Sequence, residues 1–139
     1  MRIMAVIRPK KRYDLIIKPL LFINNELARK INFETNVRNI RVNGAFEIPV
    51  AIARNLNRFD GAVAIGIIIK GETPNFKLIS QAITNGIMEL SILHKKPIGN
   101  AILTCLNFAQ IKKRNHKGEE AVNAVLDVLD PNDKDIKLK

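Results

Sequence analysis

Cysteine occurs once in this chain of 139 residues, at Cys105. No intrachain disulfide can form, which points to a reducing compartment and a cytoplasmic location. Cys105 lies in an apolar segment and reads as a small core residue rather than a nucleophile. Tryptophan is absent and other aromatics are few, with Phe at 6 and Tyr at 1, mostly in apolar patterns. A single-strand nucleic-acid binder interleaves aromatics with basic residues, so that class is disfavoured. No apolar run approaches the ~20 residues that cross a bilayer, which excludes a membrane-spanning helix. The basic N-terminus leads into no apolar segment with a small-residue cleavage site, so no secretory signal is visible. Acids are scarce too: 13 Asp and Glu face 23 Lys and Arg, a formal charge of +10. That balance suits anionic partners such as phosphates, although a solvated basic surface explains it as well. Repeats, low-complexity tracts and linkers are missing.

What is present describes one domain over residues 1–139. Apolar residues make up 47% and charged residues 26%, the composition of a globular chain with a real core. The last ten residues, 130–139, read as a polar, frayed tail. The chain is organised around Asp60–Ala82. Gly61–Ile69 is an unbroken apolar run, as in a strand buried on both faces of a parallel sheet. Lys70-Gly71-Glu72-Thr73-Pro74 then reads as a strand-to-helix turn, with Thr73 as cap and Pro74 at the first helical position. Backbone N–H groups at such a turn, with the helix dipole behind them, offer a site for phosphate or carboxylate.

The remaining elements alternate around this centre. Ile3–Ile7 is a short strand followed by a basic loop, Arg8–Arg12. A helix begins near Lys18-Pro19, or earlier near Tyr13 with a kink at Pro19. A second strand falls within Asn36–Asn43. Gly44–Pro49 turns into a helix with Ile52 and Leu56 facing inward. Phe76, Ile79, Ile83, Ile87 and Leu90 recur every three or four residues, the stripe of a helix over Pro74–Leu93. Pro97–Cys105 is a fourth strand, Asn107 caps a short helix through Lys113, and Gly118–Leu129 is the last helix. Strands alternating with helices predict a parallel, doubly wound α/β sheet. Its ligands gather beyond the carboxyl ends of the strands, where Arg8–Arg12, Gly44–Glu47 and Lys70–Thr73 converge.

Gly44-Ala45-Phe46-Glu47-Ile48-Pro49, then Gly66-x-x-Ile69-Lys70-Gly71-Glu72-Thr73, then Lys117-Gly118 resemble the lumazine synthase family over roughly Ile3–Leu129. The first two segments, in this order and spacing, are specific; either alone would be weak. The resemblance implies a flavodoxin-like three-layer sandwich with a four-stranded parallel sheet in the order 2-1-3-4. It implies condensation of 5-amino-6-ribitylaminouracil with 3,4-dihydroxy-2-butanone 4-phosphate to 6,7-dimethyl-8-ribityllumazine in riboflavin biosynthesis, without metal or organic cofactor. It implies a homopentamer with active sites between neighbours, stacking into decamers in some members, and a partnership with riboflavin synthase. A larger shell is not expected, because the chain begins at its first strand and the loop near Asn115 is short.

By the same resemblance, Ala45, Phe46 and Glu47 hold the pyrimidine and ribityl chain, and Ile68 and Ile69 meet the pyrimidine through backbone groups. Taken alone, Phe46 reads equally as a core aromatic and Glu47 as a helix N-terminal charge. Gly71, Glu72 and Thr73 form the phosphate cradle. Arg114 is the phosphate-binding cation, its planar fork matching phosphate oxygens, with Lys113 the alternative in Lys112-Lys113-Arg114. Lys117 corresponds to a lysine that reaches a neighbouring site. Three positions depart from the family pattern. Asn75 stands where a proton-transferring histidine is usual, and asparagine does not titrate. Tyr13, Lys11 or Arg12 falls where an aromatic stacks on the pyrimidine, and Asn100 where a phenylalanine often lines the pocket. His116 either supplies a proton across the subunit boundary or is merely solvated. These departures predict a slow enzyme, or a relative that binds a ribityl-pyrimidine or flavin without turnover. A basic nucleic-acid-binding α/β domain is the remaining alternative, motivated by charge alone.

Overall fold

The computed structural model describes residues 2–7, 36–72, 74–107, 109–113 and 116–129. Four strands form one sheet: β1 (Arg2–Ile7), β2 (Asn36–Arg41), β3 (Gly61–Ile69) and β4 (Ile98–Cys105). All pairings are parallel and the spatial order is β2-β1-β3-β4. The expected α/β class with a parallel sheet therefore holds. The proposed early helix near Lys18-Pro19, the loop Arg8–Arg12 and the tail 130–139 lie outside the described residues.

β3 is central, and its first seven residues are buried, as an apolar run without alternation requires. Successive side chains of β3 point to opposite faces, and each face is covered. On one face lie α1 (Ile48–Asn55) and α2 (Asn75–His94). Their Ile48, Ile52, Ile83 and Ile87 cluster with Leu56, Phe59, Ala62 and Ala64. On the other lies α4 (Lys117–Leu129), which buries Ala121, Val122, Val125 and Leu126. A short helix, α3 (Ala109–Lys113), joins β4 to α4.

Two glycines set how closely these layers meet. At Gly66 a β-carbon would lie 3.2 Å from Ile48 Cδ1, so the start of α1 presses directly on β3. At Gly86 on α2 the nearest atom is Cβ of Pro49, at 3.5 Å, which marks the α1–α2 contact.

Proline positions differ slightly from the sequence expectation. Pro74 occupies the N-cap of α2, one residue ahead of the helix, which begins at Asn75. Its carbonyl accepts the Leu78 N–H at 3.4 Å, the half-in role of a cap residue, and its ring needs no donor there. Thr73, expected to cap, lies outside the described residues. Pro97 falls just before β4, yet its carbonyl accepts the Ala62 N–H at 3.0 Å and extends the ladder. α2 ends at Lys95 in the left-handed conformation (φ 52), a common helix stop. Cys105 is fully buried, as expected of a small core residue.

Candidate active site

Parallel pairing brings the carboxyl ends of the strands, Ile7, Arg41, Ile69 and Cys105, to one rim. Strand order reverses between β1 and β3, and ligands of open parallel sheets bind beyond such a point. Two of the three turns expected there, after β2 and after β3, are described; the Arg8–Arg12 loop and Tyr13 are not.

After β2 the chain forms a single 3₁₀ turn, Ala45–Glu47, in which Glu47 N–H donates to Gly44 O at 3.2 Å. Ala45 is buried against β3 at Gly66, where a β-carbon would meet its methyl at 3.7 Å. That anchor turns the next residue outward: Phe46 is 63% exposed. Phe46 is therefore not a core aromatic. The Glu47 carboxylate folds back over Gly44, where a β-carbon would come 2.7 Å from its Oε2. A flat aromatic face and a carboxylate acceptor thus stand together on the rim.

After β3, Ile68 and Ile69 are half-buried, and Lys70 N–H donates to Cys105 O at 2.9 Å, carrying the ladder past the strand end. Gly71 and Glu72 are exposed. A β-carbon at Gly71 would meet nothing within 4 Å, so packing inside this chain does not demand glycine there. Asn75 opens α2 with its side chain exposed. The free N–H groups of that first turn and the positive end of the helix dipole favour an anion.

After β4, Asn107 accepts the Gln110 N–H on its Oδ1 at 3.2 Å, capping α3 as its position predicts. Gln110 returns the bond, its Oε1 accepting the Leu106 N–H at 2.7 Å. Lys113 ends α3 exposed, and Arg114 follows outside the described residues.

Other candidates are not brought to this rim. Ala121 of α4 sits against Gly99, near the amino end of β4. The start of α4 accordingly lies on the face opposite Ala45–Glu47. There Lys117 Nζ approaches Glu120 Oε2 at 3.1 Å, and His116 Nε2 approaches Glu120 Oε1 at 3.5 Å. Both are exposed pairs that contribute little to stability. Asn100 pairs in register with Ala64, five residues short of the Ile69–Cys105 end of the ladder. Its Oδ1 accepts the Ile102 N–H at 3.0 Å, so the side chain lies along its own edge strand. Gln110 was missed by sequence reasoning, although Asn107-x-x-Gln110 is the spacing of a reciprocal cap.

A cavity of about 370 Å³ opens at the opposite rim, between Ile92, Pro97 and Val128, and contains none of these residues. Among the described residues no three His, Cys, Asp or Glu side chains converge as metal ligands, and no helix is long and apolar enough to cross a membrane.

Residues 7–132 match the sequence profile of the 6,7-dimethyl-8-ribityllumazine synthase family. The chain belongs to this family. A lumazine synthase of Sulfurimonas denitrificans is 30% identical over 133 residues, covering 91% of this chain and 86% of the relative. Those of Pseudarthrobacter chlorophenolicus and Cutibacterium acnes are each 43% identical, over 94 and 97 residues. They cover 63% and 65% of this chain and 58% of each relative. The chain thus spans somewhat under three fifths of the length of these two relatives, and more of the Sulfurimonas protein.

Proposed function

We propose that this chain condenses 5-amino-6-ribitylaminouracil with 3,4-dihydroxy-2-butanone 4-phosphate. The product is 6,7-dimethyl-8-ribityllumazine, the lumazine of riboflavin biosynthesis. Membership of the family supports the reaction. The observation that carries the site is the exposed Phe46–Glu47 turn, on the same sheet rim as Ile69-Lys70-Gly71-Glu72 and the start of α2. In this reading Ala45 and Phe46 meet the pyrimidine and Glu47 accepts from ribityl hydroxyls. Ile68 and Ile69 offer backbone groups to the ring. Gly71, Glu72 and Thr73, with Arg114 rather than Lys113, hold the phosphate.

The pyrimidine's amine attacks the ketone and loses water to give an imine. Phosphate then leaves, and the ribityl-bearing nitrogen closes the second ring with loss of a second water. Orientation of two reactive partners supplies several kcal/mol without an acid or base. Asn75 hydrogen-bonds but moves no proton, so turnover is slower than a histidine at that position would allow. The reaction needs no metal or organic cofactor.

Lys117, Asn100 and His116 lie away from the rim of their own chain, so in this reading they serve a neighbour's site. The assembly is a homopentamer in the cytoplasm, able to stack in pairs and to meet riboflavin synthase, on the framework of a flavodoxin-like sandwich. The test is direct: mix both substrates with the protein and follow lumazine fluorescence. Product above the uncatalysed rate is expected. Tight binding of the pyrimidine with no added product would instead make the chain a non-catalytic binder.

A further inference from the structure

We infer that Gln110 is a positioning residue for the phosphate end of this site, acting through the basic residues that follow α3. The inference rests on the phosphate reading above.

The physical case begins at the end of β4. Leu106 and Asn107 are exposed, and the ladder bond from Lys70 N–H to Cys105 O is the last that β4 receives from β3. Beyond it the chain must turn at once into a helix of five residues, too short to hold itself together. Two side chains supply what the helix cannot. Asn107 Oδ1 and its carbonyl oxygen both accept from Gln110 N–H, at 3.2 and 3.3 Å. Gln110 Oε1 reaches back to Leu106 N–H at 2.7 Å. Asn107 alone would cap α3 yet leave its direction relative to β4 free, because its bond closes within the helix's first turn. The Gln110 bond spans the junction and ties the helix to the residue directly after the strand. Lys113 ends this helix and Arg114 follows it. A fork that grips phosphate by two bonds is sensitive to aim, and an error of about 1 Å can cost on the order of 100-fold.

Gln110→Met keeps length and apolar bulk while deleting the acceptor. It should weaken binding of inorganic phosphate and raise KM for the butanone phosphate, each by roughly 5–20-fold. KM for the pyrimidine and kcat should stay within about twofold, since neither depends on phosphate aim. The Leu106 amide should exchange faster with solvent. Gln110→Glu restores the acceptor. Compared with the parent at raised salt, where its added charge is screened, it should recover most of the loss. The decisive step is a cycle with Arg114→Ala. If Gln110 acts through Arg114, Gln110→Met should cost almost nothing further in that background. Full additivity, or equal rises in KM for both substrates, would overturn the positioning role. So would unchanged phosphate binding in Gln110→Met while Arg114→Ala loses it, and that outcome would leave the site reading intact. A parent chain that binds no phosphate would overturn both.

Discussion

Gly99 of β4 and Ala121 of α4 are in backbone contact: a β-carbon at position 99 would stand 2.5 Å from the Ala121 carbonyl oxygen. Its other near neighbours are the Ala121 carbonyl carbon at 2.9 Å and Val125 Cγ2 at 3.0 Å. The nearest obstacle is main chain, so no rotamer change can relieve it. This contact fixes how far α4 sits from the sheet and, through it, where Lys117 and His116 begin. Gly99→Ala should push α4 outward and destabilise the fold by about 1–3 kcal/mol, the usual cost of overpacking. Thermal unfolding should show a drop of roughly 5–10 °C for a domain of this size. A melting temperature unchanged within a degree would mean that α4 is free to shift.

Phe46 separates function from stability. Its side chain is 63% exposed while Ala45 beside it carries the packing. Phe46→Ala should therefore change unfolding free energy by no more than about 0.5 kcal/mol, as at most surface sites. The same change should raise KM for the ribityl-pyrimidine by on the order of tenfold, the loss of one aromatic contact. Loss of stability comparable to a core truncation would show that Phe46 is buried by something other than substrate.

Asn75 opens α2 beside the proposed phosphate turn, exposed and unable to titrate. Asn75→His would place an imidazole there, with an ordinary pKa near 6.5. Turnover should rise, by as much as ~10² if proton transfer limits the rate, and a new dependence on pH between about 6 and 8 should appear. A faster enzyme with a flat pH profile would argue that the histidine acts by packing. An unchanged rate would leave orientation, or a neighbour's His116, as the source of catalysis.

Much of this was legible in the sequence because the decisive signals are local. An apolar run without alternation marks β3, and a 3.6-residue stripe marks α2; both are properties of single segments. The Gly44–Pro49 and Gly66–Thr73 segments marked two adjoining turns before any tertiary contact was known. What the sequence left open depends on distance across the fold. Whether Phe46 was core or surface turned on Gly66, which lets Ala45 take the buried place. That Asn100 and Lys117 stand apart from Phe46 follows from strand register and from the face that α4 covers. Neither can be read from spacing. Gln110 was readable but hidden, because a reciprocal cap on a five-residue helix has no apolar periodicity to draw notice.

The exposed face of α2 bears on assembly. Leu78, Met88 and Ile92 are 61%, 59% and 67% exposed, and Ala82 is also exposed. At 100° per residue these four fall within about a third of the helix circumference. They stand apart from the buried stripe of Ile83 and Ile87. Phe46 and Val50, exposed on the neighbouring segment, add apolar surface to the same side of the sheet. Water contact with such a stripe costs free energy that a second chain can recover. A head-to-tail ring would cover the stripe and bring a neighbour's Lys117 and Asn100 toward the rim. The protein should therefore scatter light as a pentamer in dilute solution, or as a decamer if rings stack. Met88→Glu, which buries a charge only in the assembled ring, should shift the mass toward monomer. It should also lower lumazine formation in proportion, while far-ultraviolet circular dichroism stays that of the parent. A parent chain that remains monomeric at micromolar concentration would defeat the shared site, and full activity in such a monomer would place every needed residue within one chain.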